Sequence, residues 1–284
     1  MKIANGWKDF EVLATGDGKK VENWNGQVLL RPDPQVIWGD FENRVKPFEK
    51  QITAVYERSS SGGGHWREIK KMPEQWTCTW NNLKFIVKPM GFKHTGIFPE
   101  QAVNWQRMQQ LIKGAGRKIK VLNLFAYTGC ASVACSEAGA EVTHVDASKG
   151  MVERAKQNAA LNNISNIRFI VDDCKKFIER EIRRGNRYDA IIMDPPSYGR
   201  GPSGEMWKIE ENLFEFVKLC AQVLSTKPLF VLINSYTTGL QAGVIANILS
   251  LVFGSENVEA DEIGLATKEG LILPCGNSGF KIWK

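Results

Sequence analysis

Four short segments of this chain carry side chains that could do chemistry, and each follows an apolar run. The first, Asn123-Leu124-Phe125-Ala126-Tyr127-Thr128-Gly129, ends in a glycine, whose missing side chain lets a ligand approach the turn closely. Asp146 comes 17 residues later, a carboxylate able to accept two hydrogen bonds from a ribose diol. Val171-Asp172-Asp173-Cys174 places a carboxylate and adjacent backbone where an adenine edge could be read. Asp194-Pro195-Pro196-Ser197-Tyr198 sets a carboxylate in a rigid turn. There Asp194 and the Pro195 carbonyl can accept from an exocyclic amino group, and Tyr198 can stack on a base.

Several chemistries are disfavoured by the same residues. A dinucleotide fingerprint needs G-x-G-x-x-G to bring backbone against a pyrophosphate, and the first segment has one glycine. Six cysteines (78, 130, 135, 174, 220, 275) form no C-x-x-C pair, and with three histidines they leave little to build a metal site from. Most read as small buried hydrophobes in a reducing compartment. Cytosine C5 chemistry needs a cysteine nucleophile. Cys275 in LPCGNSG, at the end of the last expected strand, is the candidate at the strand-end rim and is read here as structural. Taken singly, each of the four segments also has a plainer reading: a lone glycine is a turn, and Ser148 or Asp172 is a helix N-cap. Four in order on successive strands are much harder to obtain by accident.

The elements that must position these residues follow from periodicity. Apolar runs at 120–125, 141–146, 167–172, 188–194 and 229–234 alternate with helical patterns near 100–113, 130–138, 148–162, 174–184 and 208–225. Strands separated by helices predict a parallel sheet covered on both faces. A final pair, VEADEIGLAT and GLILPCG, has no helix between its members and predicts an antiparallel hairpin at the sheet edge. Residues 1–95 differ: tryptophans recur (7, 24, 38, 66, 76, 80) among short runs broken by GDGKK, NWNGQ and RPDPQ, the signature of hairpins. The run SSSGGG at 59–64 reads as a flexible tip. The expected fold is therefore α/β: a Rossmann-like doubly wound, seven-strand, mostly parallel sheet with an antiparallel edge hairpin over 96–284, plus a small β-rich domain over 1–95. Most of the tryptophans are expected in the core of that small domain.

With 284 residues, 43% of them hydrophobic, the chain has enough apolar surface for about two domains at roughly 150 residues each. Disorder as a whole-chain description is excluded. The start, MKIANGWKDF, has no apolar segment typical of a secretory leader, and the longest strongly apolar stretch, Leu229 to Ile233, is far too short for a bilayer. A soluble cytoplasmic protein with no membrane partner is expected. The net charge of +6 permits a polyanionic partner without demanding one. Arg200 in the loop GRGPSG is suitably placed for a phosphate, whereas Lys175–Lys176 and Arg183–Arg184 read as solvated helix faces.

The segments VLNLFAYTG, THVDAS, VDD and MDPPSYG resemble motifs I to IV of class I S-adenosylmethionine-dependent methyltransferases. More closely, they resemble those of the bacterial group related to the 23S ribosomal RNA large-subunit methyltransferases. KHTGIFPEQAVNW at 93–105 is similar to the K-T-G-F-Y-L-D-Q-R-type stretch before motif I in that group. The resemblance covers about 93–275; the relatives' amino-terminal PUA-type domain is not evident in the tryptophan-rich segment. The resemblance implies S-adenosylmethionine as cofactor. The turn Phe125, Ala126, Tyr127, Thr128 and Gly129 would hold its methionine part and Asp146 its ribose, with Ala147 and Ser148 beside the adenine. Asp173 would meet the adenine amino group, with Cys174 supplying backbone. Asp194 would face the reactive end, and Phe98 and Gln101 would close over the cofactor. In amino-methylating relatives the aromatic follows the two prolines directly; here Ser197 intervenes. The expected activity is in-line methyl transfer to an RNA base, ribosomal RNA favoured, with Asp194, Pro195 and Tyr198 at the reacting centre and no metal. The alternatives are a methyltransferase for a small molecule or protein, a nicotinamide oxidoreductase, and a non-catalytic cofactor-binding RNA module.

Overall fold

A computed structural model describes residues 1–59, 63–91, 93–200 and 206–283. Most of the expected SSSGGG tip and of the loop after Arg200, with the Arg200 side chain, lies outside the described residues. By contact the chain divides into two compact units: Ile3–Ala102 with Gly264–Pro274, and Met1–Lys2 with Val103–Ile263 and Cys275–Lys284.

After β1 (Lys2–Ala4), the first unit builds on a five-stranded sheet in the order β2 (Phe10–Gly16), β3 (Lys19–Trp24), β4 (Gln27–Pro32), β5 (Ile52–Arg58), β6 (Gly64–Glu68). The turn chemistry sets its register. Asp17-Gly18 and Asn25-Gly26 all have positive φ, the backbone of two-residue hairpins, and they join β2 to β3 and β3 to β4. A short helix α1 (Phe41–Val45) precedes β5, which lies parallel to β4; a separate ribbon pairs β7 (Trp76–Trp80) with β8 (Leu83–Val87). Trp24 and Trp80 are fully buried. Other indoles are partly buried and donate to backbone, Trp66 to Met90, Trp76 to Trp24 and Trp7 to Pro99. Each buries a large ring and satisfies its one donor.

The second unit follows the expected alternation. Helix α2 (Ala102–Gly114) leads to β9 (Lys120–Leu124), α3 (Cys130–Glu137), β10 (Glu141–Asp146), α4 (Lys149–Leu161), β11 (Ile167–Val171), α5 (Cys174–Arg184) and β12 (Ala190–Met193). A ribbon of β13 (Tyr198–Arg200) and β14 (Met206–Lys208) then precedes α6 (Ile209–Ala221), β15 (Phe230–Ser235), α7 (Ala242–Phe253) and the hairpin β16 (Val258–Ala266) and β17 (Ile272–Ile282). The sheet order is β1-β16-β17-β15-β12-β9-β10-β11. The five strands β15, β12, β9, β10 and β11 are parallel, β11 forming the sheet edge, and β17 runs antiparallel to β15. The seven expected strands are all present; β1 adds an eighth.

Strand alternation splits the helices between two faces. Leu122, Leu124, Ile191, Met193, Val231 and Ile233 pack with Phe177, Phe216, Val217, Ile245 and Leu249 of α5, α6 and α7. Asn123 and His144 face the other way, against Ser132 of α3. Because β10 and β11 lie on one side of β9 and β12 on the other, the chain reverses direction across the sheet between β9 and β12. That reversal opens a crevice beyond the carboxyl ends of these strands.

Candidate functional site

Three of the four chemical segments follow β9, β10 and β12 at this crevice, and the fourth follows β11 beside them. The turn after β9 alternates its backbone: Phe125 (φ 54°), Tyr127 (φ 50°) and Gly129 (φ 80°) are left-handed. Two non-glycine residues in that region are costly and persist only where the surroundings hold them. The Phe125 amide donates to Cys174 Sγ at 3.3 Å, the Ala126 amide to the Val145 carbonyl at 3.1 Å and the Tyr127 amide to Asp146 Oδ2 at 2.8 Å. From below, Asn158, fully buried on α4, donates to the Thr128 carbonyl at 2.9 Å. Gly129 is required twice over, since besides its φ a Cβ would lie 2.7 Å from the Ala155 Cβ.

Asp146 is the hub. Its Oδ1 accepts from the Ser148 amide at 2.8 Å while Oδ2 holds Tyr127, so both oxygens are oriented and each keeps a lone pair for a ligand. Burial pushes its carboxyl above the usual range and the two amides pull it back. Ser148 caps α4 through the Met151 amide at 3.4 Å. At the next strand end the cap is Asp173 rather than Asp172: Asp173 Oδ1 accepts from the Lys176 amide at 2.9 Å, and Asp172 pairs with Arg180. Cys174 is buried, its thiol raised far above the normal range by burial, so it serves as an acceptor inside the turn and not as a nucleophile.

A buried relay supports the turn that sequence reasoning missed. Asn123 donates to Ser132 Oγ at 2.9 Å, and Ser132 Oγ lies 3.0 Å from His144 Nδ1. Since the serine already accepts from Asn123, its own proton is available to Nδ1, which assigns the imidazole proton to Nε2. His144 Nε2 and Arg154 Nη1 are buried without a hydrogen-bond partner among the described residues. A histidine on an apolar strand gives no sequence signal of this kind until Ser132 is seen opposite.

After β12, the Asp194 amide reaches the Leu124 carbonyl at 3.5 Å, beside the Phe125–Gly129 turn. Pro195 is buried and Pro196 exposed. Ser197, the residue that intervenes before the aromatic, has its Oγ 2.6 Å from Thr237 Oγ1 in the loop after β15. Tyr198 is 50% exposed on the β13–β14 ribbon, its hydroxyl donating to Met206 Sδ at 3.4 Å. The ribbon also carries Trp207, whose Nε1 donates to the Pro196 carbonyl at 2.7 Å. Its ring packs with Phe125 and Phe216 at centroid distances of 5.4 and 5.5 Å. Phe125 thereby turns its side chain into an aromatic cluster and offers a ligand only backbone.

Ala147 separates Asp146 from Ser148 in this turn. Phe98 and Gln101 belong with the first unit, Phe98 against His94 at 5.4 Å and Gln101 buried in a short 3-10 turn, so their closure over the cofactor remains a proposal. Cys275 is half-buried at the start of the β17 segment that pairs Asn277 with Ser235. No cluster of metal-ligating side chains occurs among the described residues, and no described helix is long and apolar enough to cross a membrane.

A turn whose amides are engaged, beside oriented carboxylates and without a phosphate cradle, fits an adenosyl sulfonium: acceptors for a diol and an amine, nothing among the described residues built for a pyrophosphate. The comparisons agree. The family model for S-adenosylmethionine-dependent methyltransferases matches residues 55–224, more than half of the chain. The chain belongs to that family, and S-adenosylmethionine is the cofactor that defines it. A crystal structure of the S-adenosylmethionine-dependent methyltransferase from Agrobacterium tumefaciens is 32% identical, with a TM-score of 0.92 over 100% of this chain and 93% of that one. The ribosomal RNA large subunit methyltransferase K/L of Pseudoalteromonas atlantica is 34% identical over 166 residues, 57% of this chain and 23% of that protein. Its namesake from Shewanella frigidimarina is 30% identical over 179 residues, 62% of this chain and 24% of that protein. The chain thus spans about a quarter of the length of the curated relatives it matches.

Proposed function

We propose that the chain transfers a methyl group from S-adenosylmethionine to a base of RNA, with ribosomal RNA the favoured acceptor. The division into a β-rich domain (1–95) and a methyltransferase domain (96–284) belongs to the same reading. The cofactor supplies a methyl carbon whose sulfonium leaving group is already activated, so the protein's task is alignment and exclusion of water. Asp146 holds the ribose hydroxyls, with Ala147 and Ser148 beside the adenine. Asp173 meets the adenine amino group next to the Cys174 backbone, and the Phe125–Gly129 turn takes the methionine end. Phe98 and Gln101 keep the closing role that the resemblance gives them. Asp194 and the Pro195 carbonyl accept hydrogen bonds from the acceptor base, on which Tyr198 stacks.

The observation that carries this reading is the crevice itself: Asp194 lies hydrogen-bonded to the strand that ends in the cofactor turn. The ribosomal acceptor is supported by the similarity to ribosomal RNA large subunit methyltransferases. Incubating the protein with S-adenosylmethionine and unmodified ribosomal RNA, then digesting to nucleosides for mass spectrometry, should reveal one new methylated nucleoside. Asp146→Ala should weaken cofactor binding in calorimetry by about 1.5–3 kcal/mol, the worth of hydrogen bonds to a charged group. Methyl label found only on protein or small molecules would transfer the proposal to those acceptors.

A further inference from the structure

We propose that the first unit carries a phosphate-binding site made by Lys20, Arg31, Arg58 and Lys93, which grips the sugar-phosphate backbone of the RNA acceptor. This inference rests on the RNA reading above.

Register places the cations together. Lys20 on β3 is directly opposite Arg31 on β4. Arg58 lies two residues beyond Tyr56 on β5, hence on the same face as that tyrosine. Met90, Gly91 and Lys93 are each pinned to the unit through their carbonyls. Trp66 Nε1 donates to the Met90 carbonyl at 2.9 Å, the Tyr56 hydroxyl to the Gly91 carbonyl at 3.4 Å and Arg31 Nη1 to the Lys93 carbonyl at 2.8 Å. Lys93 is thereby brought within electrostatic range of Lys20, Arg31, Arg58 and Asp33.

The charges do not balance. Glu22, fully buried, receives a forked bond from Arg31 Nε at 2.7 Å and Nη2 at 2.8 Å. Lys20 lies between Glu22 at 3.4 Å and Asp33 at 3.2 Å. Among the described residues these two carboxylates face four cations, Asp33 acting on Lys93 as well as on Lys20, so the cluster keeps a net positive charge. Glu57, the carboxylate next to Arg58, alternates to the opposite face and pairs with Arg67. His94 registers the field: burial, then Arg31, Lys93 and Lys20, pull it down to about 4, so it adds no compensating or opposing charge at neutral pH. An anion seated at Lys93 and Arg58 would complete the set. The cations are spread over two strands and the crossing segment instead of converging on a nest of backbone amides, an arrangement that suits a polymer backbone better than a single bound nucleotide.

Binding of a labelled single-stranded oligoribonucleotide to the whole chain tests this as a function of salt. For the wild type the logarithm of the association constant should fall linearly with the logarithm of salt. In Arg58→Ala/Lys93→Ala the slope should shrink by about 1.4, roughly 0.7 for each lost phosphate contact to a single strand. S-adenosylmethionine affinity should stay unchanged, which certifies the fold. If RNA is bound and methylated while the double variant keeps the wild-type slope and affinity, the inference is overturned and the acceptor reading stands. If a poly-glutamate peptide binds as tightly as RNA, the phosphodiester assignment is overturned. If the wild type binds no RNA, the acceptor reading and the RNA source both fail, and inorganic phosphate decides the site. A Lys93 side-chain resonance shift that Arg58→Ala abolishes upholds an anion site, and no shift removes it.

Discussion

His144 lies beneath the Phe125–Gly129 turn as a neutral, fully buried imidazole, and its protonation would put a charge against Ser132 of α3. Burial pulls its pKa down to about 3, and His94 in the first unit is pulled down to about 4. In the unfolded chain both would protonate near 6.5. Their folded pKa values are depressed, so the unfolded state binds more protons below pH 6.5 and stability falls as the solution is acidified. The loss continues until each folded pKa is reached, at roughly 1.4 kcal/mol per pH unit per histidine. Asp146, raised by burial, works in the opposite direction. Denaturant midpoints measured from pH 7 to pH 5 should therefore decline, and His144→Gln should flatten the decline by about half. A midpoint that does not move over this range would remove both histidines from the account.

At the scale of elements, the loop after β12 is tied on both sides: Pro196 by Trp207 of the ribbon, Ser197 by Thr237 of the loop after β15. The serine that departs from the amino-methylating pattern thus has a positioning role. Thr237→Val keeps the side-chain shape and removes the hydroxyl, so the loop should lose alignment without losing its fold. The expected result is a lower kcat with S-adenosylmethionine affinity unchanged, and Thr237→Ser should restore most of it; a Thr237→Val enzyme with wild-type kcat would deny the tie any catalytic consequence. How much of this was legible in the sequence varies by element. The strand–helix alternation was readable because β9, β10, β12 and β15 are short, largely buried apolar runs and helices such as α5 and α6 show an apolar stripe between them. The four segments were readable because strand ends, the elements between them and the carboxylates are local features. Strand β1 has three residues, too few to show a period, and α7 is apolar on so many positions, Leu251 at 75% exposure among them, that no stripe stands out. The ribbon β13–β14 pairs Tyr198 with Lys208 across a loop, and its Trp207 contact with Phe125 is 82 residues distant in sequence. Such contacts follow from topology, which no local pattern encodes.

For the whole molecule, one hairpin contributes to both units. The body of β16 and β17 belongs to the large sheet, whereas the tip, Gly264–Pro274, belongs with the first ninety-odd residues. There Thr267 bridges to Val12 in parallel, and the Lys268 amide donates to the Val12 carbonyl at 2.8 Å. Glu269 closes the arrangement. Its Oε1 accepts from the Thr15 amide at 3.0 Å and hydroxyl at 2.7 Å, and Oε2 pairs with Arg44 at 3.2 Å. The same Thr15 hydroxyl accepts from Trp38 Nε1 at 3.2 Å, so one carboxylate organises the edge of β2. Thr15 is fully buried, and truncating its partner leaves an amide without an acceptor, a loss of about 1–3 kcal/mol. Glu269→Ala should accordingly increase hydrogen exchange in β2 and β3 and shift the environment of Trp38 in fluorescence. Glu269→Gln, which keeps an acceptor for Thr15 but drops the charge facing Arg44, should cost less. Amide protection in β9, β10 and β12 and the affinity for S-adenosylmethionine should remain at wild-type values in both variants, because none of these contacts reaches the large sheet's parallel strands. Equal loss of protection in the two units after Glu269→Ala would show instead that the molecule opens as one cooperative body, and the hairpin tip would then be a determinant of the whole fold.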